Sequence, residues 1–148
     1  MTAHTPLAMS KEAYFAWVDR QEGRYEYVRG RVMMMVRVTL GHALVAGNLH
    51  VALKSRLPIE RFNVAFETFA VDVGDSVRYP DIVVQPAQSD LKALEAKAPI
   101  LIVEVLSPGT LHIDFGEKRQ EYLELPSLAT YLILVARRAA RMGVGEGR

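Results

Sequence analysis

The sequence predicts a mixed α/β domain in which a mixed β-sheet is flanked by helices. Three observations carry this. Ile100 to Leu106 holds six apolar residues out of seven, bounded by Pro99 and Ser107-Pro108, as in a strand covered on both faces. Gly41 to Leu57 repeats Val45, Leu49 and Leu53 at every fourth position, an amphipathic helix ended by Pro58. From about Leu111 to Leu125, before Pro126, the residues Leu111, Phe115, Tyr122 and Leu125 fall on one helical stripe directly after the apolar strand.

Composition bounds the rest. A chain of 148 residues is expected to form one domain with a real core, and 50% hydrophobic against 24% charged residues exclude a disordered chain. The net charge of +1 provides no overall basic field, so any contact with nucleic acid must be local. With no cysteine there is neither a disulfide framework nor a thiolate metal site, and a cytoplasmic location is the expectation. The first residues show no secretory pattern, and the longest apolar run is too short to span a bilayer.

In chain order, Ser10 is the expected N-cap of a short helix through Val18 that carries Tyr14, Phe15 and Trp17. Arg24 to Val28 and Arg31 to Val38, joined at Arg29-Gly30, read as a hairpin. The Gly41–Leu57 helix follows, then strand segments Asn63 to Phe66 and Thr68 to Val73, then a turn over Asp72 to Ser76. Pro80-Asp81 opens the run Ile82-Val83-Val84. Pro86 to Ala98 is polar and Ala-rich, a loop with a helical turn expected from Asp90 to Ala96. After the central strand, Pro108-Gly109-Thr110 breaks the chain before the second helix, and Thr130 to Val135 is the last strand.

Three ionisable residues stand where their neighbours call for apolar ones. Glu104 shares a strand face with Ile100, Ile102 and Leu106; Asp81 is held at a strand start by Pro80; Lys118 lies inside the apolar stripe of its helix. Burying a charge costs several kcal/mol unless it is paired or binds metal. Each has an ordinary alternative: a strand-end glutamate bound to arginine, a turn aspartate after proline, a snorkelling lysine or one paired with Asp114. Together, two carboxylates on neighbouring strand ends make a hard-oxygen site for Mg²⁺ or Mn²⁺, and a lysine beside them suits phosphodiester hydrolysis. Glu117, Arg119 and Glu121 fall outside the stripe and are expected in solvent. Glu26 reads equally as a surface strand residue or a site residue, and Glu67 as a third acidic ligand or an edge or bulge residue. His42 and His50 lack the spacing of a zinc site.

At these residues the chain resembles the Uma2 family of the PD-(D/E)XK restriction-endonuclease-like superfamily. The matching segments are Tyr25 to Gly30, Pro80 to Val84, Val103 to Thr110, and Asp114 through Lys118 to Tyr122. The resemblance implies an αβββαβ core and a divalent-metal nuclease site with Asp81 and Glu104 as ligands. It also implies accessory places for Glu26 and His42. The superfamily's lysine stands two residues after the second acid, where this chain has Leu106; the Uma2-like arrangement supplies it from the following helix, as Lys118. Family members continue past the last strand with an acidic residue and further structure. Here Ala136 opens a stretch expected to be atypical or truncated.

The first expectation is therefore a DNA endonuclease that uses Mg²⁺ or Mn²⁺, with Asp81, Glu104 and Lys118 catalytic. The alternative is a nuclease fold kept for binding or assembly, without catalysis; a small-molecule phosphoesterase is a third. Exposed apolar strand and methionine surface, with Met33-Met34-Met35, favour a homodimer.

Overall fold

The structure is a computed structural model that describes residues 7–106 and 115–136. In chain order its elements are β1 (Leu7–Ala8), α1 (Lys11–Val18), β2 (Tyr25–Val28), β3 (Arg31–Met34), α2 (Leu40–Arg56), β4 (Phe62–Phe66), β5 (Ala70–Asp72), β6 (Ser76–Arg78), β7 (Ile82–Pro86), β8 (Glu95–Ala96), β9 (Leu101–Leu106), α3 (Phe115–Leu123) and β10 (Thr130–Val135). The strands form two sheets, one in the order β1-β3-β2-β6-β5-β8, the other β10-β9-β7-β4.

Local chemistry accounts for the boundaries. Ser10 Oγ accepts from the Ala13 amide at 3.2 Å to start α1, and Thr39 Oγ1 does the same for His42 at the start of α2. The β2–β3 hairpin turns on Arg29 and Gly30 with φ of 46° and 85°, the two positive values that a tight hairpin turn requires. Gly74 (φ 82°) turns β5 into β6, with Asp72 Oδ1 accepting from its amide at 2.9 Å.

The smaller sheet positions the site. Taken with its helices it runs α2, β4, β7, β9, α3, β10, the αβββαβ order that the resemblance implies. β7 is antiparallel to β4 and β9, while β10 is parallel to β9, reached through α3. Ile82, Val83, Val84, Ile102, Val103 and Val105 are all buried, so the middle of this sheet is covered on both faces. The register pairs Ile82 with Val103 and Val83 with Ile102. One step further along the same ladder brings Asp81 opposite Glu104. Tyr122 of α3 packs into the core beside Val71, Val83, Ala96 and Ile102.

Four local expectations are corrected. The helical turn expected from Asp90 to Ala96 is cut to one short turn, closed by the Ala93 amide on the Asp90 carbonyl at 3.3 Å, because Glu95-Ala96 pair in parallel with Ala70-Val71 as β8. The strand expected from Thr68 begins only at Ala70: Glu67 adopts φ 51° and the Thr68 amide turns back to the Phe66 carbonyl at 2.6 Å. β3 ends at Met34 rather than Val38. Glu121, expected in solvent, is buried, for a reason given below. Leu111, Asp114 and the stretch 137–148 lie outside the described residues.

Ile102 is fully buried between α3 and β7. Ile102→Ala is expected to destabilise the protein by about 2–5 kcal/mol, read as a lowered urea midpoint at unchanged slope.

Candidate active site

Asp81 sits just before β7, where the β7–β9 ladder stops. Its carboxylate continues the hydrogen bonding there: Oδ2 accepts from the Val105 amide at 2.6 Å. Its other oxygen lies 2.9 Å from His42 Nε2. Because His42 stands in the first turn of α2 and is itself buried, the Thr39 cap indirectly fixes the ring that orients Asp81.

Glu104 is in the body of β9 and only 7% exposed. Its Oε1 accepts from the Tyr122 hydroxyl at 2.9 Å and lies 3.6 Å from Lys118 Nζ. Lys118 Nζ is also 3.1 Å from Glu26 Oε1. The β7–β9 register thus sets Asp81 opposite Glu104, and α3 brings Lys118 to Glu104. Glu26, from the other sheet, joins them through Lys118 and accepts from the Tyr79 amide at 3.3 Å.

Burial is the largest influence on Glu104 and pushes its carboxyl up to about 7. The Lys118 charge works against that rise, the Asp81 and Glu26 charges add to it, and the Tyr122 hydrogen bond works against it. Tyr122 is itself held well above the usual phenol range, first by burial and then by the Glu104 charge, so it remains a hydrogen-bond donor at neutral pH.

Glu67 takes a different place. Its carboxylate lies 3.5 Å from Arg24 Nη1, and Arg24 Nη2 donates to its carbonyl at 2.7 Å. It touches the site only through its backbone, its amide donating to the Asp81 carbonyl at 3.1 Å. Among the described residues, no three His, Asp or Glu side chains are gathered as a metal cage.

The residues present nevertheless fit a divalent cation of the Mg²⁺ or Mn²⁺ type. Such ions are commonly held by one or two carboxylates, with water and substrate oxygens completing the shell. Each carboxylate oxygen offers about two lone pairs, so the bonds from His42 and Val105 leave Asp81 acceptor capacity. The hydrogen bond from Tyr122 and the closest approach of Lys118 both fall on Oε1 of Glu104. The repulsion that Asp81 and Glu26 exert on Glu104 is what a cation would relieve.

Several residues of the site were not legible in the sequence. Arg78, on the three-residue strand β6, is buried and donates from Nε to Glu121 Oε2 at 2.7 Å and from Nη1 to Glu26 Oε2 at 3.1 Å. Ser76 Oγ donates to Glu121 Oε1 at 3.0 Å. These partners explain the burial of Glu121. Lys118, Glu121 and Tyr122 are spaced i, i+3, i+4 and share one helix face, a signal that was available.

The α2-β4-β7-β9-α3-β10 arrangement, with an acid at the mouth of β7 and another within β9, defines a restriction-endonuclease-like fold. Residues 11–142 match the Uma2 family, whose description is "Putative restriction endonuclease", and the chain belongs to that family. An uncharacterized protein of Synechocystis sp. is 29% identical over 141 residues, covering 90% of this chain and 74% of its own. A crystal structure described as "a putative nuclease belonging to DUF820" from Anabaena variabilis matches with a TM-score of 0.64 at 18% identity, over 88% of this chain and 74% of that one. No helix among the described residues is long and apolar enough to cross a membrane.

The raised Glu104 pKa has a consequence for stability. The unfolded carboxyl releases its proton near 4.5, whereas the folded one keeps it to about 7. The folded state therefore binds more protons between these values, and stability falls as pH rises through that window. A shift of this size corresponds to a loss on the order of 3 kcal/mol by pH 8. Glu104→Gln, unfolded by urea in EDTA, is expected to be more stable than wild type at pH 8 and to lose that advantage by pH 4. A variant less stable at pH 8 would contradict this account of the site.

Proposed function

We propose that this chain is a metal-dependent DNA endonuclease that hydrolyses phosphodiester bonds. One observation carries the reading: Asp81 and Glu104 lie opposite each other on adjacent strands, and Lys118 of the next helix reaches Glu104, although Glu104 and Lys118 interrupt apolar patterns. Asp81 and Glu104 would hold Mg²⁺ or Mn²⁺. When bound, such an ion supplies Lewis acidity toward the phosphate and lowers the pKa of a coordinated water.

The chain's own side chains set the geometry for the rest. His42 and the Val105 amide hold Asp81 from two sides, so that it meets the reaction already oriented. Tyr122 donates to one oxygen of Glu104 and fixes the rotation of that carboxylate. Lys118, held between Glu26 and Glu104, places a positive charge where an attacking water can be oriented and where charge builds on the phosphate. DNA is the proposed substrate, in the cytoplasm. The proposal includes a homodimer, which would offer two sites for two strands; exposed Met33, Met34, Val36, Leu40, Leu44 and Val51 favour self-association.

A second reading, a nuclease fold kept for binding or assembly, is favoured by one observation. Both Asp81 oxygens already have protein partners. The network could therefore serve structure alone.

Cleavage of supercoiled plasmid separates the two. Under the first reading, wild type nicks or linearises DNA with Mg²⁺ or Mn²⁺ and not with EDTA. Asp81→Asn, Glu104→Gln and Lys118→Met should each lower the rate about 100-fold or more while circular dichroism stays native. Full activity in Glu104→Gln would remove Glu104 from catalysis, and an inert wild type would favour the second reading.

A further inference from the structure

Arg78 is the most buried charge in the described part of the molecule, only 3% exposed, and no step of the proposed chemistry uses it. It lies between two buried carboxylates. Its Nε–H donates to Glu121 and its Nη1–H to Glu26, so the planar guanidinium bridges a residue of α3 and a residue of β2. The Glu26 oxygen that Arg78 leaves free is the one that lies 3.1 Å from Lys118 Nζ. Glu121 is restrained in turn by Ser76 Oγ at 3.0 Å, and Arg29 Nε approaches it at 3.9 Å. A chain of contacts thus runs Ser76–Glu121–Arg78–Glu26–Lys118–Glu104.

Stability is a poor reason for such a chain. Buried ion clusters are often replaceable by apolar side chains at no loss, because desolvation offsets their attraction. Orientation is a better one. Lys118 reaches Glu104 from a helix by a flexible stem with rotatable donors, so its ammonium needs an external reference to stay beside Glu104. Glu26 supplies one: its Oε2 is tied to Arg78, while its Oε1 faces Lys118 and accepts from the Tyr79 amide.

We infer that Arg78 is a positioning residue: clamped by Glu121, it fixes the Glu26 carboxylate that holds the Lys118 ammonium beside Glu104. Its meaning for catalysis rests on the nuclease reading; its effect on Lys118 does not. A lysine at position 78 would keep the charge but lacks the planar fork that serves both carboxylates.

The test compares wild type with Arg78→Met and Arg78→Lys. The chain has few lysines, so ¹⁵N-labelled protein gives few ammonium resonances, and Lys118→Arg identifies that of Lys118. Wild type should show a Lys118 ammonium signal protected from water exchange. Both Arg78 variants should broaden or shift it. On plasmid, kcat should fall about 10–100-fold with KM unchanged, and Arg78→Lys should recover only part of the loss. If Arg78→Met does not fold, Glu121→Gln, which keeps the volume and removes the charge, carries the same measurement. An unaltered Lys118 signal in a folded variant overturns the inference whatever the activity. A wild type that shows no cleavage overturns the nuclease reading instead, and the ammonium signal still decides whether Arg78 positions Lys118.

Discussion

A carboxylate in the body of a central strand must be surrounded by partners, and Glu104 imposes that condition on the elements around it. β9 is apolar on both sides of it, so solvation has to come from the protein. α3 supplies it by bringing Lys118 and Tyr122 onto the same oxygen. That requirement fixes which face of α3 is turned inward, and the same face then carries Glu121 into the second sheet. The antiparallel register of β7 adds Asp81 opposite, and α2 adds His42 to hold Asp81 in turn. Elements from both sheets and two helices are thus joined through polar contacts that converge on one strand position.

Concentrating charge in this way works against stability. Burial raises the proton affinity of Glu104 most, and the Asp81 and Glu26 charges add to it. Apolar replacement would relieve the strain on every one of these groups. A structure that keeps them holds two oriented carboxylates, the kind of donor a divalent cation takes, with one ammonium fixed beside them. The near-neutral net charge of the chain is compatible with this, since the charge that matters is local.

Legibility in the sequence followed element length and the contrast between a residue and its neighbours. β9, β10, α1 and α2 are long or strongly patterned and lie close to where periodicity and capping residues put them. β6 and β8, of three and two residues, have no pattern to read and exist because of their partners in the sheet. Glu104 and Lys118 stood out because each interrupts an apolar run. Glu26 and His42 did not stand out chemically, and the family resemblance singled them out. Glu121 was misread because the helix stripe was drawn through apolar residues alone, which treats every charge beside it as solvated. Its burial depends on Arg78, 43 residues away in sequence on a three-residue strand with no pattern that marks it. Pairings of this kind become visible only once the two sheets are brought together.

The central claim is that Asp81 and Glu104 form a divalent-cation site, and calorimetric titration of Mn²⁺ into wild type and Glu104→Gln tests it most directly. The account predicts binding at micromolar to millimolar Mn²⁺ in wild type and its loss in the variant. No binding to wild type at millimolar Mn²⁺, or equal binding to both proteins, would contradict it and leave the buried charges as a structural network.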